Sequence, residues 1–164
     1  MRHRRRALAV ASFVVCAASV LMGGCSKSDD DAAIQPYDER ADAQADLDRA
    51  LERARGENKH VLVVFGANWC PDCRSLAKKM SAGALAGHVA DRYVLSKVDV
   101  GHFDKNTPIA QRFGNVTSKG IPAVVVLASD GRLIKATRGG ELASARQLGD
   151  RQLLDVFEKL AADN

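Results

Sequence analysis

Two thiols three positions apart, Cys70 and Cys73 in "NWCPDCRSLAKKM", are the residues whose type and spacing most directly suggest chemistry. Such a pair can be a redox couple, half of a metal site, or two buried residues. A disulfide stabilises most when it closes a long loop, and a bond between Cys70 and Cys73 closes almost none. A structural zinc site takes four ligands, and the sequence holds no second Cys pair of this kind. His60, His88 and His102 are scattered without ligand spacing and read as surface or loop histidines, so no metal site is assigned. The remaining chemistry is thiol–disulfide exchange, in which a thiolate attacks a disulfide sulfur and a second thiol resolves the product.

The flanking residues must position that pair. "HVLVVFGA", residues 60–67, is a near-continuous apolar and β-branched run, the pattern of a strand buried on both faces. It leads into Trp69 and Cys70, after which Leu76, Ala77 and Met80 mark one face of a helix. Pro71 falls in the first turn, where a helix accepts proline best. Cys70 therefore sits at a helix N-terminus, where unpaired amides and the helix dipole favour a thiolate. That makes Cys70 the attacking thiol and Cys73, one turn on, the resolving one.

The chain begins "MRHRRRALAVASFVVCAASVLMGGC", with four arginines in the first six residues and an apolar run over 7–22. This is the plan of a secretory signal peptide, residues 1–24, and the run is shorter than the roughly 20 residues a membrane span needs. The ending before Cys25 is similar to a bacterial lipobox, whose cysteine is lipidated and becomes the mature N-terminus, with Met22 where leucine is usual. A plain signal peptide with a chance cysteine is the alternative, and Arg5-Arg6 gives twin-arginine export little support. The formal charge of +4 rests on the four arginines of the signal. Without them 20 basic residues balance 20 acidic ones, so the basic precursor is no argument for nucleic-acid binding. Cys16 leaves with the signal, and only Cys70 and Cys73 remain as thiols in an oxidising compartment. Residues 25–36, acidic and apolar-poor, read as a flexible tether to a domain over 37–164.

Along that domain, residues 38–55 form an amphipathic helix carrying Leu47, Ala50, Leu51 and Ala54 on one side. Ser81 caps a short helix with Leu85 and Val89, and residues 92–100 are a strand. Thr107 caps a helix with Pro108 in its first turn, ending at Gly114. Residues 121–138 are two strands joined at Asp130-Gly131, and Leu153, Leu154, Phe157 and Leu160 give the last helix its apolar face. The order predicts an α/β fold with a central mixed β-sheet flanked by helices. Residues 138–150, "RGGELASARQLGD", read as a solvated loop with a turn of helix, or as a partner-recognition insert.

"VLVVFGANWCPDCRSL" followed by "RFGNVTSKGIPAVVVL" resembles the thioredoxin superfamily over about residues 38–162. The two motifs that carry it are Trp-Cys-x-x-Cys at a strand–helix junction and Gly-Ile-Pro before an apolar strand. The resemblance implies a thioredoxin-like fold, catalytic Cys70 and Cys73, and a cis proline at Pro122 lying against them. Trp69, Ile121 and Pro122 would then bind substrate, with the Ile121 backbone pairing with an extended polypeptide beside the disulfide. Pro71, Asp72 and Lys97 would tune the site. The extra short helix is similar to periplasmic or membrane-anchored members of the superfamily.

One departure carries chemical weight. The family places a buried acid six residues before the first cysteine, where it helps the resolving thiol lose its proton, and this chain has Val64 there. Lys97, matching the lysine that pairs with that acid, would favour the Cys70 thiolate, while Asp72 would oppose it by like-charge repulsion. Slower resolution by Cys73 is the expected result. Ile121 before the proline resembles reducing rather than strongly oxidising members. Together these readings imply a monomeric, lipid-anchored periplasmic reductase of protein disulfides, supplied with electrons by a transmembrane thiol reductase and needing no cofactor. Ser26 after Cys25 favours the outer membrane. The competing readings are a thioredoxin-like module that holds copper or a client without redox turnover, and an envelope protein with an inert thiol pair.

Overall fold

A computed structural model describes residues 34–138 and 140–161. The expected signal peptide over 1–24, Cys16, Cys25 and most of the expected tether lie outside these residues, as does Gly139 within the 138–150 segment.

Helix α1, Ala43–Glu57, starts at Asp42, whose carboxylate accepts from the amides of Gln44 and Ala45 at 3.1 and 3.0 Å. These are donors that a helix start leaves unpaired. It stops at Asn58, whose left-handed backbone returns its amide to the Ala54 carbonyl. Its Leu47, Ala50 and Ala54 are buried, while Leu51 is only partly covered.

Strand β1, His60–Gly66, is buried from Val61 onward and lies at the centre of a four-stranded sheet. It runs parallel to β2, Tyr93–Asp99, and antiparallel to β3, Ala123–Leu127. β3 pairs in turn with β4, Leu133–Ala136, giving the order β2-β1-β3-β4. The parallel β1/β2 pair needs a crossover, which α2, Pro71–Lys79, and α3, Gly83–Arg92, supply. Helix α4, Thr107–Arg112, and a 3-10 turn, Val116–Lys119, connect β2 to β3, and α5, Asp150–Ala161, ends the described chain.

Alternation along the strands divides the core into two layers. Val61, Val63, Phe65, Val98 and Val125 pack against α1, α4 and the 3-10 turn. Leu62, Val64, Val124 and Val126 pack against Leu76 of α2, Leu85 and Val89 of α3, and Phe157 of α5. The expected fold, a mixed sheet flanked by helices, is the one observed.

Several local expectations change. Ser81 does not cap α3; its hydroxyl donates back to the Lys78 carbonyl at 2.7 Å and closes the end of α2. Thr107 is the first residue of α4 rather than its cap, because Asn106 takes the cap position in a left-handed conformation. The Asn106 side chain is drawn away to the Asp99 carbonyl at 2.8 Å. The 140–149 segment has the expected helical turns and several exposed residues, but it is not wholly solvated, since Leu142 and Ala145 are completely buried in the α2/α5 layer. Lys79 of α2 secures it by donating to the carbonyls of Ala145 and Leu148.

Candidate active site

The end of β1 delivers Cys70 to the start of α2, where it is the N-cap residue with Pro71 directly after it. Its Sγ accepts from the Cys73 amide at 3.3 Å and stands 3.6 Å from the Ile121 carbonyl oxygen. The Ile121-Pro122 bond is cis, and both residues are buried beside Cys70. That carbonyl faces Cys70, so in the dithiol it is the thiol, and not yet a polypeptide, that meets Ile121. Cys70 and Cys73 are both free thiols, 4 % and 0 % exposed.

The two sulfurs are electrostatically unequal. The Cys70 thiol is lowered to about 7, first by a hydrogen bond from Cys73 and then, against the cost of burial, by the Cys73 and Asp72 amides. These are the donors a helix start leaves open. Cys73 is pushed far up, first by its hydrogen bond to Cys70 and then by burial. One sulfur is an available thiolate near neutrality and the other is a held thiol. Alkylation of the reduced protein should therefore modify Cys70 first, with a rate that rises as pH climbs through about 7. A rate that keeps rising to the ordinary thiol range near pH 8.5 would contradict this assignment.

Asp72 does more than oppose the thiolate. Its buried carboxylate accepts from the Arg146 amide at 3.0 Å, with Arg146 Nε 3.8 Å away. It thus ties the 140–149 segment to the first turn of α2. Its charge does raise Cys70, as the last of the causes acting there. Asp72→Asn keeps an acceptor for the Arg146 amide and removes the charge. The alkylation midpoint of Cys70 should fall, and an unchanged or higher midpoint in a pH series would remove Asp72 from the tuning groups.

Lys97 lies opposite Val64 in the β1/β2 register, half-buried, and burial lowers its pKa. The causes that set the Cys70 shift are the Cys73 hydrogen bond, burial, the Cys73 and Asp72 amides and the Asp72 charge, without Lys97 among them. Trp69 is 45 % exposed, its indole N–H donating to the Gly101 carbonyl at 2.7 Å. It stacks on His102 at 5.3 Å between centroids and meets Phe103 edge-on at 6.2 Å. Phe103 is 46 % exposed, so an aromatic shelf stands open next to Cys70.

Among the residues around the thiols, His102, Phe103, Asn68, Tyr37 and Asp99 stand in no motif that marks them in the sequence. Asn68 clamps the segment before α1 by accepting from the Tyr37 amide at 3.0 Å and donating to the Tyr37 carbonyl at 2.8 Å. Tyr37 is 3 % exposed and packs with both cysteines. The available signal was weak: a tyrosine at the edge of an acidic, apolar-poor stretch, with no periodicity around it. Among the described residues no group of three or more His, Cys, Asp or Glu side chains is arranged to hold a metal ion. Nor is any helix among them long and apolar enough to cross a membrane.

A family model described as thioredoxin-like matches residues 42–129. The crystal structure of a disulphide isomerase from Xylella fastidiosa Temecula1 is 43 % identical, with a TM-score of 0.76, over 79 % of this chain and 98 % of that one. A thioredoxin from Mycolicibacterium smegmatis is 34 % identical over 97 residues, 58 % of this chain and 80 % of the thioredoxin. A protein disulfide-isomerase from Hordeum vulgare is 32 % identical over 90 residues, and the match spans only 17 % of that longer protein.

Proposed function

The chain belongs to the thioredoxin-like family, and on that premise we propose that it reduces protein disulfides in the bacterial cell envelope through Cys70 and Cys73. The observation that carries this reading is the placement of Cys70 Sγ, which caps α2 and faces the cis Ile121-Pro122 segment. The Cys70 thiolate attacks one sulfur of a substrate disulfide, that bond breaks, and the first product thiolate leaves and takes a proton. Cys73 then loses its proton and attacks Cys70 Sγ, expelling the second product thiolate. The substrate gains two electrons and the protein ends as the Cys70/Cys73 disulfide.

Reduction is favoured over oxidation by the Cys70 thiol, which at about 7 matches the attacking thiol of thioredoxin. Strong oxidants hold theirs near 3.5. The aromatic shelf of Trp69, His102 and Phe103 supplies apolar contact for an unfolded or extended substrate next to the sulfur. In the envelope, electrons would come from a membrane thiol reductase, and Cys25 would carry the lipid that holds the protein at the membrane. Equilibration of the thiol pair against glutathione and dithiothreitol tests the direction. A reduction potential near about −270 mV fits a reductase, and one near about −120 mV overturns that direction. Membrane fractionation tests the location: Cys25→Ala should release the protein from the membrane fraction, and retention there would discard the lipid anchor.

A further inference from the structure

Resolution by Cys73 requires its buried thiol to give up a proton, and Val64, at the position where the family carries its buried acid, has no group to take one. Gly66, two positions on, lies on the same side of the pleat. A Cβ built on Gly66 would overlap the hydroxyl and Cζ of Tyr37 and reach Cys73 Sγ at 3.0 Å. The phenol oxygen and the resolving sulfur therefore share one small space over Gly66. The β1/β2 register pairs Gly66 with Asp99, whose side chain leaves the sheet toward that space. Asp99 is 5 % exposed, and its Oδ2 receives no hydrogen bond, with Lys105 Nζ standing 3.5 Å away. That oxygen is held by the Lys105 ion pair alone, with no hydrogen bond to share its charge.

We infer that Tyr37 and Asp99 form the proton exit of the resolving thiol, with the Tyr37 hydroxyl relaying the Cys73 proton to the Asp99 carboxylate. The inference rests on the dithiol reading of the site and adds the route by which Cys73 is activated. The Cys73 S–H passes its proton to the Tyr37 oxygen while the Tyr37 O–H passes its own to Asp99. The Cys73 thiolate then attacks Cys70 Sγ, the Cys70–substrate bond breaks, and the departing thiolate is protonated from solvent, to which Asp99 returns its proton. Burial, then the charges of Cys73, Cys70 and Asp99, hold the Tyr37 phenol well above its ordinary value, so it stays protonated between turnovers. The other charged or titratable groups around this space are Asp72 on α2, Lys97 on β2 and Lys105 beyond it. Tyr37 exchanges a proton with the reacting Cys73 sulfur and does not touch substrate.

The two thiol steps separate in the reaction of the reduced protein with dithiobis-nitrobenzoate. The attack by Cys70 releases one thionitrobenzoate and resolution by Cys73 releases the second. Tyr37→Phe should leave the first phase unchanged and slow the second by about ten- to a hundred-fold, within the usual range for proton transfer by a positioned group. The pH midpoint of the second phase should also move up. Asp99→Asn should slow the second phase in the same sense and add little to Tyr37→Phe. A second phase at the wild-type rate in Tyr37→Phe overturns the relay, as does slowing of both phases by one factor, which marks a packing role alone. Release of only one thionitrobenzoate by the wild-type protein would end the dithiol reading itself, and the relay with it.

Discussion

Replacement of Cys70 by serine should abolish disulfide reduction, and replacement of Cys73 by serine should instead stop the reaction halfway. The two outcomes differ because the sulfurs differ. Cys70 accepts the Cys73 amide and has its pKa lowered to about 7, so it supplies the thiolate. A serine hydroxyl in its place is not ionised near neutrality and is a far weaker nucleophile. Insulin reduction should fall by about three orders of magnitude or more, to the rate of the reductant alone. Cys73 is completely buried and held as a thiol, so it cannot substitute as the attacker. In Cys73→Ser the first attack remains and the mixed disulfide on Cys70 has no internal resolving group. Mass spectrometry after exposure to a disulfide substrate should show the protein carrying one substrate thiol. Insulin reduction by Cys70→Ser at the wild-type rate would remove Cys70 from the reaction. Equal loss without a trapped adduct in Cys73→Ser would remove the division of labour.

The sequence exposed the parts of this molecule that rest on short-range rules. The apolar run of β1, the proline after Cys70 and the i, i+3, i+4 spacing of α5 each encode an element locally, and the sheet follows from their order. Helix starts were less legible where a side chain had two available partners. Ser81 bonds backward to Lys78 and Asn106 reaches Asp99, so neither junction is set by the side-chain cap its residues suggest. The site was legible in the same proportion. Cys70, Cys73 and Pro122 announce themselves by motif. Tyr37 reaches them across 31 positions of sequence through Asn68, and Arg146 meets Asp72 across 74. No periodicity encodes such contacts. They arise only once β1 and β2 fix the register that sets Gly66 beside Asp99.

Gly66→Ala should cost both stability and resolution, although alanine is a modest change for an interior strand. Gly66 has an ordinary backbone and is not needed for a left-handed turn; what it provides is space. The methyl group would occupy the position of the Tyr37 hydroxyl and Cζ, with Cys73 Sγ at 3.0 Å on its other side. The sulfur is completely buried on the inner face of α2 and has little freedom, so the ring must leave. Tyr37 is also fixed by its backbone, since Asn68 holds both its amide and its carbonyl. Moving the ring therefore strains the segment ahead of α1 as well as the space over Gly66. Overpacking of this kind costs about 1–3 kcal/mol, which should appear as a lower denaturation midpoint at unchanged denaturant dependence. Loss of the phenol from above Cys73 should slow the second thionitrobenzoate phase at least as much as Tyr37→Phe does. Tyr37→Ala opens room for the added methyl, so the double variant should recover part of the lost stability while resolution stays slow. Recovery of both would place the defect in packing alone, and recovery of neither would mean that the methyl strains the sheet rather than the ring.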